Sequence, residues 1–281
     1  MRILVTGAKG QLGVELLRSL APLGEVVGRD LPELDIVRPA AAGAVAALAP
    51  DCVVHAAAAT DVDGCERDPA LAMAVNGDGT RHVAEGCRRA GARLVYLSTD
   101  FVFDGAKRTP YLEDDPPAPL SAYGRSKLEG ERAAQRVPDW CIVRTAWLYG
   151  PHGRNFVKAI LRKAAAGERL RVVHDQVGSP TYAPDLAAAI ARLVAGKLAG
   201  TYHVTNAGAC SWYEFAREIL RQAGLAVPVQ PIDTRTLDRP APRPAYSVLA
   251  HAALERAGLP PMRPWREALA DMLAALRGGA A

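Results

Sequence analysis

Cysteine is scarce in this sequence and has no paired spacing. The 281 residues hold five, Cys52, Cys65, Cys87, Cys141 and Cys210. An odd count without a Cys-x-x-Cys excludes a disulfide framework and a zinc ribbon, and fits reduced thiols in the cytoplasm. Cys52 and Cys141 lie inside apolar runs and read as core. Long hydrophobic runs are missing too, so no membrane partner is expected, and a glycine turn follows the first apolar run directly, unlike a secretory leader. Charge of one sign is not in excess. The 34 basic residues against 30 acidic ones leave a net +4, and the arginines are scattered, which argues against a nucleic-acid partner. Internal repeats are absent. What is present is an ordinary globular composition, 49% hydrophobic and 23% charged, long enough for one large domain or two unequal ones.

The organising stretch is MRILVTGAKGQLG, Met1 to Gly13. Ile3, Leu4 and Val5 form a short β-branched strand that stops at Gly7, with Gly10 and Gly13 at spacings of three. After Gly13 the apolar period becomes helical through Leu16, Leu17 and Leu20, and Pro22-Leu23-Gly24 ends it. Strand, glycine turn and helix in this order form a dinucleotide site. Gly7 permits the turn, Gly10 lets backbone approach a pyrophosphate, and Gly13 lets the helix pack on the strand. A second strand, Glu25 to Asp30, brings Asp30 to the place where an acid takes the ribose hydroxyls of NAD. Arg29 beside it could receive the extra phosphate of NADP, and the sequence leaves both cofactors open.

Further along, Cys52 to His55, Arg93 to Leu97 and Cys141 to Arg144 read as buried strands separated by helices, one of which Pro69 interrupts. Strands alternating with helices predict an α/β fold, a Rossmann-type doubly wound parallel sheet with right-handed crossovers and ligands at the strands' carboxyl ends. Small residues at such an end, Ala56 to Ala59 before Thr60, let a flat ring lie against backbone. Beyond Gly150-Pro151 the texture changes. Helices are predicted from Phe156, over Pro184–Leu193, over Trp212–Leu220 and from about Trp265 to Leu276, with strands at Leu170–Val173 and near Thr201–Val204. Asp175 to Tyr182 reads as a loop, and the proline-laden stretch from Pro228 to Pro244 as irregular. The predicted division is a dinucleotide-binding domain over 1–150, rejoined by segments around 176–205, and a smaller interleaved C-terminal substrate part over 151–175 and 206–281.

Tyr123 and Lys127 lie four residues apart at the start of a predicted helix and share a face. A free phenol is a poor acid–base group near neutrality, with a pKa of about 10; a nearby ammonium is expected to lower that value and let the phenol trade protons with a carbonyl or alcohol. Thr99, after Ser98 at a strand end, can hydrogen-bond the same substrate oxygen or the phenol.

The motifs TGAKGQLG, AAAAT, STDFVFDG, YGRSK, RTAWLYG, NFV, DQVGSPT and SWYEFA occur in this order. By them the chain resembles, over nearly its whole length, the dTDP-4-dehydrorhamnose reductases among the extended short-chain dehydrogenase/reductases. The resemblance implies NADPH- or NADH-dependent reduction of the 4-keto group of a dTDP-linked 6-deoxy sugar, dTDP-4-dehydro-6-deoxy-L-mannose, giving dTDP-L-rhamnose for polysaccharide. It implies Gly10, Gln11 and Leu12 at the cofactor pyrophosphate, Asp30 at the adenosine ribose, Asp35 and Ile36 near the adenine, and Ala58, Ala59 and Thr60 along the cofactor. It makes Tyr123 and Lys127 the catalytic pair, with Lys127 also on the nicotinamide ribose, and lines the sugar site with Thr99, Asp100 and Trp147. Asn155 and Arg243, after Gly150, are candidates for the nucleotide side of the substrate, and an arginine of the proline-rich segment, Arg239 or Arg243, suits its diphosphate. The sequence departs from the family pattern at His55, Phe101 and Tyr246. Some members dimerise through acidic residues and Mg2+. Glu15 matches one such position, while Pro184-Asp185 does not clearly supply the others, so no metal ligand is assigned and the chain is expected as a monomer or homodimer. Two alternatives remain: another nucleotide-sugar epimerase or dehydratase, which recycles its NAD, and a non-catalytic regulatory subunit like that of methionine adenosyltransferase, which would not need the tyrosine–lysine pair.

Overall fold

The computed structural model describes residues 1–278. The apolar runs become the strands β1 (Arg2–Thr6), β2 (Glu25–Arg29), β3 (Cys52–His55), β4 (Arg93–Thr99) and β5 (Trp140–Thr145). Between them lie helices α1 (Gln11–Leu20), α2 (Ala41–Ala47), α3 (Val62–Arg67), α4 (Pro69–Ala72), α5 (Gly79–Ala90) and α6 (Ala122–Ala134). There follow β6 (Leu148–Tyr149), α7 (Phe156–Ala165), β7 (Leu170–Val173), β8 (Val177–Gly178), β9 (Thr181–Tyr182), α8 (Ala183–Ala195) and β10 (Gly200–His203). The chain closes with β11 (Cys210–Ser211), α9 (Trp212–Ala223), β12 (Val229–Ile232), α10 (Ala252–Arg256) and α11 (Trp265–Gly278).

Six strands make one parallel sheet in the order β10-β5-β4-β3-β1-β2. The chain leaves β1 outward to β2, then returns to β3 on its other side. At that reversal the connections diverge and open a crevice at the carboxyl ends of the strands. Successive residues of β1 serve opposite faces. Ile3 and Val5 pack with Leu12 and Leu16 of α1 and Leu186 and Ile190 of α8, whereas Leu4 packs with Val45 of α2 and Val83 of α5. Burial on both faces is why these strands read as continuous apolar runs. A separate core joins Val157, Ile160, Phe215, Ile219, Trp265 and Leu269 from α7, α9 and α11. Leu254 of α10 and Met262 return to the α1–α8 core, so the last third of the chain serves both bodies.

Pro69 interrupts the helix after β3 as expected. Asp68 caps the restart, its carboxylate accepting from the Leu71 amide at 2.9 Å, and Met73–Asp78 continues as a π-helical turn before α5. Two expectations are corrected. The segment from Pro228 is not wholly irregular, because Val229–Ile232 forms β12, parallel to β7 with Pro231 opposite Val172. A two-stranded sheet leaves each strand one open edge, where the missing N–H of a proline breaks no ladder bond. The expected loop Asp175–Tyr182 contains β8 and β9, which pair with β11 and β6. The short helix α10 was not foreseen. All five cysteines are buried and free. No helix among the described residues is long and apolar enough to cross a membrane.

Candidate active site

The glycine turn forms as its spacing requires, although α1 begins at Gln11 and includes Gly13. Gly7 has φ +69°, and a Cβ there would lie 2.7 Å from the Ala57 nitrogen. A Cβ on Gly13 would stand 2.1 Å from the Gly7 carbonyl oxygen, so α1 seats on the turn only without one. Gly10 is the N-cap of α1 and no side chain caps it. The free amides of the first turn, with the positive end of the helix dipole, therefore border a cleft of about 1200 Å³. The opposite walls come from the end of β4, from Tyr123 and Lys127 of α6, from Trp147 and Trp212, and from the segment Arg239–Arg243.

Ala58 and Thr60 line this cleft. Ala59 is fixed through its backbone: its N–H donates to Asn76 Oδ1 at 2.9 Å and its carbonyl accepts from Asn76 Nδ2 at 3.0 Å. Asn76 also donates to Ser126 Oγ, tying this loop to α6 at 2.9 Å. Asp30 is next to the turn, accepting from the Lys9 amide at 2.9 Å and the Leu31 amide at 2.8 Å. Arg29 donates to the Gly28 carbonyl. With Lys9 and Glu33, Arg29 and Asp30 line a smaller groove of about 540 Å³. Asp35 and Ile36 line neither cavity: Asp35 accepts from the Val37 amide and pairs with Arg38, and Ile36 packs in the α2–α5 core.

Helix α6 is anchored twice at its start. Ser121 Oγ accepts from the Gly124 amide at 3.1 Å, and Glu66 accepts from the Ala122 amide at 2.7 Å. A Cβ on Gly124 would come within 2.2 Å of the Phe101 carbonyl, so this glycine lets the helix start lie against the end of β4. Tyr123 and Lys127 both face the cleft, but the amine does not tune the phenol as the spacing suggested. Lys127 Nζ donates to the Leu97 carbonyl at 2.6 Å and lies over the Tyr96 ring. Burial pushes Tyr123 well above its ordinary value, against the opposing influence of the Thr99 hydroxyl. Burial likewise lowers Lys127 to about 7, with the Glu131 charge opposing. Desolvation outweighs the neighbouring charge in this dry corner, so the phenol keeps its proton at neutral pH.

Thr99 Oγ1 donates to Asp100 Oδ1 at 3.0 Å and accepts from the Phe101 amide at 3.2 Å. Asp100 is 2% exposed, burial raises it to about 6, and its Oδ2 has no hydrogen-bond partner among the described residues. Beneath it, Ser98 donates to Glu131, and Arg144 grips the same carboxylate with two bonds at 2.9 and 2.8 Å. This paired, buried ion couple fixes the end of β4 against α6 and β5.

Trp147 has φ +47° and stacks on Trp212 with ring centroids 3.5 Å apart at 8°. Gly178 lies against the Cε2–Nε1 side of the Trp147 indole, where a Cβ would sit 2.5 Å from the ring. Asn155 caps α7 through its oxygen, while its nitrogen donates to Gln11 Oε1 at 2.9 Å and to the Gly150 carbonyl at 2.8 Å. It bridges the start of α1 to the smaller body, and both of its N–H donors are used there. Arg243 lines the cleft, but its Nη2 is bound by Asp63 at 2.9 Å. Sequence reasoning did not single out Asp63, Gly178, Asn76 or Trp212. The quoted motifs DQVGSPT and SWYEFA contain two of these, but their partners lie in other segments. Glu15 is buried beside His152 and Arg18. Asp185 is held by Arg263 and Asn206. No group of three or more His, Cys, Asp or Glu side chains suited to a metal ion occurs among the described residues.

A family model described as RmlD substrate binding domain matches residues 1–277. The dTDP-4-dehydrorhamnose reductase of Streptomyces griseus is 48% identical over 291 residues, covering 99% of this chain and 95% of that protein. Among solved structures, a dTDP-4-dehydrorhamnose reductase from Clostridium acetobutylicum superposes with a TM-score of 0.96 at 43% identity, covering 99% of this chain and all of that one. The dTDP-4-dehydrorhamnose reductase from Bacillus anthracis in complex with NADP gives a TM-score of 0.94 at 41% identity, covering 97% of this chain and 98% of that one.

Proposed function

This chain belongs to the RmlD substrate binding domain family, and we propose that it is an NAD(P)H-dependent reductase that converts dTDP-4-dehydro-6-deoxy-L-mannose into dTDP-L-rhamnose. The observation that carries this reading is one cleft bordered both by an uncapped glycine-turn helix start and by a buried, protonated Tyr123 beside Thr99. The turn fits a dinucleotide, because the space where Cβ atoms of Gly7 and Gly13 would stand is already filled by backbone and the free amides suit a pyrophosphate. Gly10, Gln11 and Leu12 would hold that group, Asp30 or Arg29 would meet the adenosine ribose, and Ala58 and Thr60, which line the cleft, would lie along the cofactor. NADPH or NADH, when bound, supplies the hydride.

The chain's own residues supply the proton and the alignment. Tyr123 gives its phenolic proton to the sugar's 4-oxygen as charge gathers there, and burial keeps that proton in place until it is needed. Thr99, whose hydroxyl donates to Asp100 in this structure, turns that donor onto the same oxygen when substrate is bound and orients the keto group. Lys127, near its titration point at neutral pH, holds the ribose side and can return a proton to the phenol. Trp147, locked by Trp212 and Gly178, forms a flat wall for the sugar, and Arg239 and Arg243 at the far wall take the diphosphate. The substrate part consists of 151–175 and most of 206–278, while Ala253, Leu254 and Met262 pack with the dinucleotide-binding domain that the remaining residues form. We place the protein in the cytoplasm, as a monomer or homodimer acting on a small nucleotide sugar; its five free cysteines support that compartment.

The test is cofactor absorbance followed with purified protein and the dTDP-4-keto sugar. Reduced cofactor should be consumed in proportion to product. Turnover of nucleotide sugar without net cofactor consumption would instead identify an epimerase or dehydratase and overturn the assignment.

A further inference from the structure

The segment Leu237–Arg243 crosses the cleft wall and is tied to the other side of the cleft through one carboxylate. Asp63, in the first turn of α3, accepts from Arg239 Nη1 and from Arg243 Nη2 on the same oxygen, Oδ2, each at 2.9 Å. Its Oδ1 faces the Ala241 amide at 3.4 Å, and Arg243 Nη1 folds back onto the Ala241 carbonyl at 2.9 Å. Burial opposes ionisation of Asp63, but the bonds and charges of the two arginines outweigh it and hold its carboxyl below the usual range.

One carboxylate facing two guanidinium groups leaves a surplus positive charge at the cleft wall. It also leaves donors free. A guanidinium carries five N–H donors, and Arg239 commits one nitrogen to Asp63 while its side chain stays 54% exposed. Asp63 and Arg243 are far less exposed, at 15% and 16%. Two long cations side by side would splay apart through repulsion and rotamer freedom of their side chains. A shared anion holds them together, and ordering them before a ligand arrives removes that cost from binding. Pro240 and Pro242 stiffen the strap between the two arginines.

We propose that Asp63 is a positioning residue for substrate, gathering Arg239 and Arg243 into a ready-made fork for the diphosphate of a nucleoside-diphosphate ligand. This rests on the reading that a dTDP-sugar fills the cleft. Asp63 itself touches neither the sugar nor the cofactor. It acts through the arginines, so its removal falls on phosphate-dependent binding and not on the chemical step.

Calorimetric titration of the full chain with dTDP and with thymidine tests this, alongside steady-state kinetics on the dTDP-4-keto sugar. Asp63→Asn should weaken dTDP about tenfold and raise the sugar KM by a similar factor, with kcat at saturation, NADPH affinity, thymidine binding and Tm near the parent values. Asp63→Glu should recover part of the loss. In an Arg239→Ala/Arg243→Ala background, Asp63→Asn should add nothing further. If Asp63→Asn fails to fold, Arg243→Lys, which keeps the charge and loses the fork, should weaken dTDP instead. An Asp63→Asn protein that binds dTDP as tightly as the parent, or loses thymidine and dTDP affinity alike, overturns the proposal. If the double arginine variant also binds dTDP normally while reduction proceeds, the fork is not the diphosphate site and the proposal falls, with the reductase reading intact. A parent protein that does not reduce the sugar removes that reading itself.

Discussion

Replacing Lys127 by methionine should make the protein more stable at neutral pH while abolishing its activity. The amine is 3% exposed and donates to the Leu97 carbonyl. Burial lowers its pKa from 10.5 to about 7. Between those values the unfolded chain keeps the proton and the folded chain tends to lose it, so the unfolded state binds more protons and stability rises with pH across that window. Each unit of displacement corresponds to about 1.4 kcal/mol. The folded protein therefore bears a penalty of roughly 4 kcal/mol at pH 7, shrinking to about 1 kcal/mol by pH 10. Methionine carries none of it, but leaves the Leu97 carbonyl without this donor, a pH-independent cost of about 1–3 kcal/mol. Lys127→Met is thus expected to exceed the parent by roughly 1–3 kcal/mol at pH 7 and to equal or fall below it at pH 10. Urea unfolding of both proteins at several pH values between these limits measures the difference, in which every other titrating group cancels. A difference that stays constant with pH would refute the argument, because it would mean the amine is not desolvated in the folded protein.

Tyr123→Phe keeps the ring and its edge contact with Phe101, so cofactor Kd should hold while kcat falls by about 10²–10⁴; a rate within threefold of the parent would place the proton donor elsewhere. Thr99→Val should cost about 0.5–1.5 kcal/mol of transition-state stabilisation, an order of magnitude or less in kcat/KM, since it removes one orienting bond. Gly178→Ala drives a Cβ to within 2.5 Å of the Trp147 ring, and should lower stability by about 1–3 kcal/mol and raise the sugar KM, visible together in urea titration and steady-state kinetics. Both cofactors should work, with a modest NADPH preference, because the Asp30 carboxylate already accepts two backbone amides and Arg29 stands beside it; an NADH preference above about a hundredfold, ~2.7 kcal/mol, would mean that the acid prevails.

Local chemistry written in short windows was legible without the fold. The β1–α1 turn is set by glycines at fixed spacing, because the positive φ of Gly7 and the close approach of Gly13 to the Gly7 carbonyl are local, although Ala57 also closes the space at Gly7. The shared face of Tyr123 and Lys127 follows from helical period alone, and burial on both faces made β3 readable to the residue. Tertiary structure decided what depends on distant partners or on loss of water. The phenol was expected to be lowered by its lysine and is instead raised, since no window of sequence reports that both groups are desolvated or that Leu97 takes the amine. Val229–Ile232 looks irregular until Leu170–Val173 offers it an edge on which Pro231 breaks no bond. The bond from Asn155 to Gln11 joins groups 144 residues apart, and no short window of sequence reports it. The arginines of the proline-rich segment carried a recognisable chemistry, but their counter-ion lies 176 and 180 residues earlier. Only the folding of that segment back across the cleft brings Arg239 and Arg243 onto one oxygen of Asp63, because charge pairing acts through space and is blind to the order of the chain.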